Sequence, residues 1–155
     1  MTNKYAERLR ELGIELPQPA TPLANYVPYV KSDDTIYISG QLPMVGGKPQ
    51  FIGRVGEDLS IEDGRDAARA CAMNIIAQLR DALGGNLDRM KHCVKLGGFV
   101  ACAPGFTEHP AVINGASDLM VEVFGDAGRH SRFAVGVQNL PFGVGVEIDA
   151  VFTRL

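Results

Sequence analysis

Two side chains near the C-terminal end carry the chemistry first suggested by this sequence. Arg132 sits in Ser131-Arg132-Phe133-Ala134-Val135-Gly136-Val137, and Glu147 sits in Val146-Glu147-Ile148-Asp149-Ala150. Both stretches alternate, so each reads as a strand with one apolar face. Alternation predicts Arg132 on the face opposite Phe133, Val135 and Val137, and Glu147 opposite Val146 and Ile148. If the apolar faces share one core, Arg132 and Glu147 share the other side among small residues, Ala134, Gly136 and Gly145. A guanidinium binds a carboxylate through two parallel bonds, and a carboxylate can hold a water or move a proton. The same pattern also describes a cross-strand ion pair on a solvated face, which is common and contributes little.

Other candidates are sparser. Ser39 has no His and Asp in a recognisable triad pattern and reads as a structural hydroxyl. Gly143-Val144-Gly145 opens no helix, so it is no dinucleotide fingerprint. His109 and His130 read as loop or cap residues. Met44 and Phe51, in a glycine-rich loop, either cover a pocket or pack on a surface. Cys71, Cys93 and Cys102 have no framework spacing, and no C-x-x-C or H-x-x-x-H pair exists, so neither disulfides nor a metal site are expected.

The elements that would position these residues follow from pattern. Residues 3–12 form a short helix ended by Gly13. Four prolines between Leu16 and Pro28 make an extended arm. Tyr29–Lys31 and Thr35–Ser39 form a hairpin. Residues 40–58 form a loop with one short strand near Phe51–Val55. Ser60 opens a long helix with a capping box that uses Asp63, and Gly84-Gly85 closes it. Met90–Ala101 is a strand. Thr107 is the candidate cap of a second helix, with Pro110 in its first turn. The two alternating stretches end the chain as a hairpin. Hairpins flanking two amphipathic helices imply an α+β layer with the helices on one sheet face.

The chain has 155 residues, suited to one domain, with 46% hydrophobic and 21% charged residues. Fifteen basic and eighteen acidic residues leave a net charge of −3. That balance disfavours a protein that grips nucleic acid through its phosphates. Apolar runs fall short of the roughly 20 residues a spanning helix needs. The charged start, MTNKYAERLRELG, is unlike a signal peptide, so a cytoplasmic, reduced protein is expected.

The C-terminal run SRFAVGVQNLPFGVGVEIDAVF resembles the signature of the RidA/YjgF family, with an Arg, Leu-Pro, then a Val-Glu-Ile strand. YISGQLP, residues 37–43, is similar to the family's strand ending in Ser-Gly-Gln, and Asn114 stands where the family carries an Asn. The resemblance covers residues 23–155 and leaves 1–22 as an N-terminal extension. It implies a chorismate-mutase-like fold, with a mixed six-stranded sheet and two helices on one face. It implies homotrimers with sites in clefts between subunits, and no cofactor. Many members hydrolyse enamines or imines to a 2-oxo acid and ammonia. By resemblance, Arg132 holds the substrate carboxylate and Glu147 orients or activates water. Tyr26 is a site tyrosine, Gly40 brings backbone close to the ligand, and Asn114 supports the pocket. Ala134 replaces the family's frequent Cys, and its place in the site would be filled by backbone. His130 stands where Pro or Ala is usual.

The resemblance leaves three functional classes. The first is a deaminase of small carboxylate-bearing imines. The second is a non-catalytic binder of small carboxylates, which needs Arg132 but tolerates loss of Glu147. The third is a ribonuclease or translation inhibitor, which the acidic balance argues against.

Overall fold

The computed structural model describes residues 3–21 and 24–155. Its elements are α1 (Lys4–Glu11), β1 (Tyr29–Ser32), β2 (Thr35–Gln41), β3 (Met44–Val45), β4 (Lys48–Pro49), α2 (Ile61–Ala82), β5 (Met90–Ala101), α3 (His109–Phe124), β6 (Ser131–Val137) and β7 (Val146–Arg154). Five strands form one sheet in the order β1-β2-β7-β5-β6, and β3-β4 is a separate two-stranded ribbon. Only β5 and β6 pair in parallel within the main sheet, which is therefore mixed.

Local signals place α2. The Ser60 hydroxyl accepts from Asp63 N at 3.0 Å, and the Asp63 carboxylate accepts from Ser60 N at 2.9 Å. Asp thus completes the capping box in place of the usual Glu. Ala68, Cys71, Ile75 and Leu79 form one face, fully buried against the sheet. α3 departs from expectation at its start. Glu108, not Thr107, occupies the cap and makes no side-chain capping bond, while Pro110 does lie in the first turn. α1 joins the same core through Tyr5 and Leu9, and Tyr5 meets the Phe124 ring edge-on at 4.9 Å.

Three expectations about strands require correction. The sheet has five strands rather than six, because residues 51–55 make only isolated bridges, to Val144, Leu59 and Cys102. The last two strands do not form a hairpin. β7 lies between β2 and β5, and β6 is the far edge, beyond β5. β7 has Val146, Ile148, Ala150 and Phe152 buried. A strand with a wholly buried face is best placed centrally, where both ladders are also satisfied. The edge falls to β6, whose residues are half-buried or exposed.

The third correction concerns the face of β6. Arg132 registers with Leu96, which is fully buried under the helices, and Phe133 registers with Gly97 on the other face. Arg132, Ala134 and Gly136 therefore face α3. Phe133, Val135 and Val137, expected in the core, lie on the open face instead. There Phe133 meets Phe99 edge-on at 5.2 Å, and Val135 is 42% exposed and Tyr37 50% exposed.

Candidate active site

The predicted site residues fall into two groups. Tyr26, Gly40 and Glu147 line one cavity of ≈ 810 Å³ together with Ser39, Met44 and Phe142. The Pro-rich arm supplies one wall through Pro17 and Pro19. The arm is tied down by polar contacts. The Ser39 hydroxyl donates to Val27 O at 2.9 Å, and Gln78 Nε2 donates to Ala20 O at 2.8 Å. Ser39 is thus structural, as its lack of triad partners suggested. Asn74, buried on α2, shapes the floor by donating to Leu42 O and Met44 O, both at 3.1 Å. Of the two loop residues singled out by sequence, Met44 lines the cavity, while Phe51 packs against the core. Phe142, in a left-handed turn at φ 57°, also lines it and carried no sequence signal.

Glu147 is half-buried in this cavity and its pKa is raised. Burial disfavours the anion, and Asp149 on the same strand face adds like-charge repulsion. An Arg132 on the same face, as alternation predicts, would keep Glu147 ionised. That fails because Val146 and Ile148 turn Glu147 to the open face, whereas Arg132 points to α3. In register, Glu147 stands opposite Phe99 and Arg132 opposite Leu96, on opposite sides of one sheet.

Gly40 approaches the carboxylate closely. A Cβ built there would stand 3.0 Å from Glu147 Oε1 and 3.1 Å from its Cδ. Gly40→Ala is therefore expected to displace the carboxylate and lower kcat/KM by about three- to tenfold, since site geometry tolerates little shift. Steady-state kinetics check this, with thermal melting to show that the fold survives.

Arg132 is held by α3. Its Nη1 donates to Ser117 Oγ at 3.0 Å and its Nη2 to Pro110 O at 3.3 Å. Pro110, Asn114 and Ser117, spaced by four and three, share one side of α3. Asn114 thus lies on the helix side that meets Arg132, and Ala134 lies on the strand face turned to α3. Sequence reasoning missed the support behind Arg132. Ser117 Oγ lies 2.8 Å from His130 Nε2, and His130 Nδ1 lies 2.6 Å from Gly128 O. A carbonyl only accepts, so Nδ1 carries the proton and Nε2 accepts from Ser117. The wire runs Arg132 to Ser117 to His130 to Gly128, every donor matched. Its only sequence signal was His130 at an unusual position for the motif.

The His130 pKa is lowered, mainly by burial and also by the Arg132 charge, against an upward pull from the Gly128 carbonyl. The neutral imidazole is thus favoured by folding. Its contribution to stability is complete above the ordinary value of 6.5 and is lost as pH falls through the lowered value. Melting temperature is expected to drop as pH falls from 6.5 to the lowered value, and His130→Gln is expected to remove this component of the pH slope.

The chain matches the family described as "YjgF/chorismate_mutase-like, putative endoribonuclease" over residues 6–147. It belongs to the YjgF/chorismate mutase-like family. Protein TCP17 of Trypanosoma cruzi is 50% identical over 153 residues, covering 97% of this chain and 94% of TCP17. Atu1372 of Agrobacterium tumefaciens, a structure of unknown function, is 47% identical, with a TM-score of 0.92 over 97% of this chain and 92% of its own. RidA from the Antarctic bacterium Psychrobacter sp. PAMC 21119 is 26% identical, with a TM-score of 0.59 over 88% of this chain and 93% of its own. The YjgF-like chain has the mixed α+β sheet of this fold, and among the described residues no helix is long and apolar enough to cross a membrane.

Proposed function

We propose that this protein hydrolyses small carboxylate-bearing imines or enamines to a 2-oxo acid and ammonia, at sites completed between subunits of a homotrimer. The observation that carries this reading is the division of the site. The carboxylate clamp, Arg132, and the water-handling carboxylate, Glu147, lie on opposite faces of one sheet, so one chain holds two incomplete halves. A second copy that brings its Arg132 half to the cavity of the first closes the site. The open sheet face supports such assembly. Val30, Tyr37 and Val135 are each 42% exposed or more and share this face with Phe99, Phe133 and Val151, an apolar surface interrupted by Lys95 and Asp149.

In the completed site Arg132 binds the substrate carboxylate. A water held by Glu147 attacks the imine carbon, the C=N pair moves to nitrogen, and Glu147 takes the water proton. Glu147 returns that proton to the nitrogen, which gives a carbinolamine; it then takes the hydroxyl proton as the carbonyl forms and passes it to the leaving nitrogen, so the C–N bond breaks and ammonia departs. An imine is already electrophilic, so no metal or cofactor is called for. The net charge of −3 weighs towards a small ligand and away from RNA phosphates.

Mixing two inactive variants tests this reading. Arg132→Ala and Glu147→Gln are each expected to lack ammonia release from freshly generated 2-aminoacrylate. Co-refolded in equal amounts, they are expected to regain about a quarter of wild-type activity, the share of randomly paired sites with both residues intact. Light scattering is expected to report a trimer. A monomeric protein, or mixtures no more active than either variant, would overturn the shared site.

A further inference from the structure

We propose that Cys102 is a reactive thiol, activated by His109, that forms covalent adducts with α,β-unsaturated carbonyl compounds. Neither residue lines the Glu147 cavity or hydrogen-bonds Arg132, although His109 adjoins Pro110, whose carbonyl does. Cys102 follows β5 and His109 is the first residue of α3. Cys102 Sγ lies 3.5 Å from His109 Nε2, within reach of proton transfer. The edge of the Phe106 ring packs against the imidazole at 5.3 Å, nearly perpendicular, and fixes its orientation.

Space for the pair is made by Gly136. A Cβ built there would stand 2.5 Å from His109 Nε2 and 2.9 Å from Cys102 Sγ. Gly136 is exposed and Cys102 is half-buried, so the sulfur is open to a small molecule. The other two thiols are not. Cys71 and Cys93 are fully buried, and burial pushes Cys93 up to about 12 and Cys71 well above the ordinary thiol range. A thiol reacts as its thiolate, which is a soft nucleophile suited to a polarised carbon. The first turn of α3 itself carries no acidic residue; Glu108 occupies the cap without a side-chain capping bond.

The step balances within the pair. The Cys102 proton passes to His109 Nε2, and the sulfur pair forms a bond to the β-carbon. The C=C pair moves towards the carbonyl as an enolate, and the proton held by His109 returns to the α-carbon. The product is a thioether, and no oxidant or reductant is consumed.

N-ethylmaleimide, an unsaturated imide, is a direct probe. Incubated with the full chain at neutral pH, it is expected to give one adduct, mapped to Cys102 by peptide mass spectrometry. Its rate is expected to exceed that of glutathione in the same buffer, and His109→Gln is expected to slow it about tenfold or more. Gly136→Ala keeps both residues but wedges them apart, and is expected to slow it similarly if His109→Gln fails to fold. A wild-type rate no faster than glutathione, or a variant rate equal to wild type, would overturn the assignment.

Discussion

Glu147→Gln is expected to lower turnover by about 10²-fold or more, the usual scale for loss of a general base, with little change in substrate affinity. The amide keeps the shape of the carboxylate in the cavity beside Gly40 and loses only its basicity. Stability is expected to move the other way. Glu147 is raised because it is half-buried beside Asp149. The folded chain therefore holds the proton more tightly than the unfolded one. This contribution is present below the ordinary value of 4.5 and is lost as pH rises through the raised value. At neutral pH the anion is thus a burden, and Gln removes it, so melting temperature is expected to stay level or rise. The acid limb of kcat/KM is expected above the ordinary carboxylate range for the same reason. A carboxylate that only shaped the cavity would leave the saturating rate near wild type. That single result, with binding intact, would move the protein to the class of small-carboxylate binders.

Arg132→Lys is expected to raise KM about tenfold or more. A charge-assisted bond to a carboxylate contributes about 1.5–3 kcal/mol, and a lysine offers a point charge in place of a fork. The structure adds a second cost. Arg132 reaches Ser117 Oγ and Pro110 O with two different nitrogens, and so presents its remaining donors at a fixed angle. A single ammonium cannot hold both contacts and still face a ligand. Ser117→Ala is correspondingly expected to raise KM while leaving kcat nearly unchanged, because it frees the clamp without touching Glu147. Steady-state kinetics on both variants, with isothermal titration of a 2-oxo acid, measure these effects.

The open sheet face and the thiol pair bear on each other only through assembly. Phe99, Phe133 and Tyr37 lie on the side of the sheet away from α3, whereas Cys102 and His109 lie on the α3 side, next to the Arg132 half that the proposed assembly brings to a partner's cavity.

Much of this molecule is legible in its residues. Ser60 and Asp63 mark the start of α2 because a capping box is a local hydrogen-bond exchange. Val146, Ile148, Ala150 and Phe152 name the core face of β7 because side-chain direction in a strand repeats every two residues. Arg132 and Glu147 stand out by alternation, and Tyr26, Gly40 and Asn114 only by likeness to a family motif. Tertiary structure alone decided how they meet. Strand pairing is non-local, so nothing in Phe133, Val135 and Val137 tells an edge strand from half of a hairpin. Because the period is two, assigning the wrong covered face inverts every side chain at once. That inversion sends Arg132 to α3, leaves Glu147 alone with Asp149, and raises a carboxylate that proximity to Arg132 would have lowered. The contact from Ser117 to His130 exists only once α3 is laid beside the start of β6, and that from Cys102 to His109 only once the connection from β5 to α3 takes its fold.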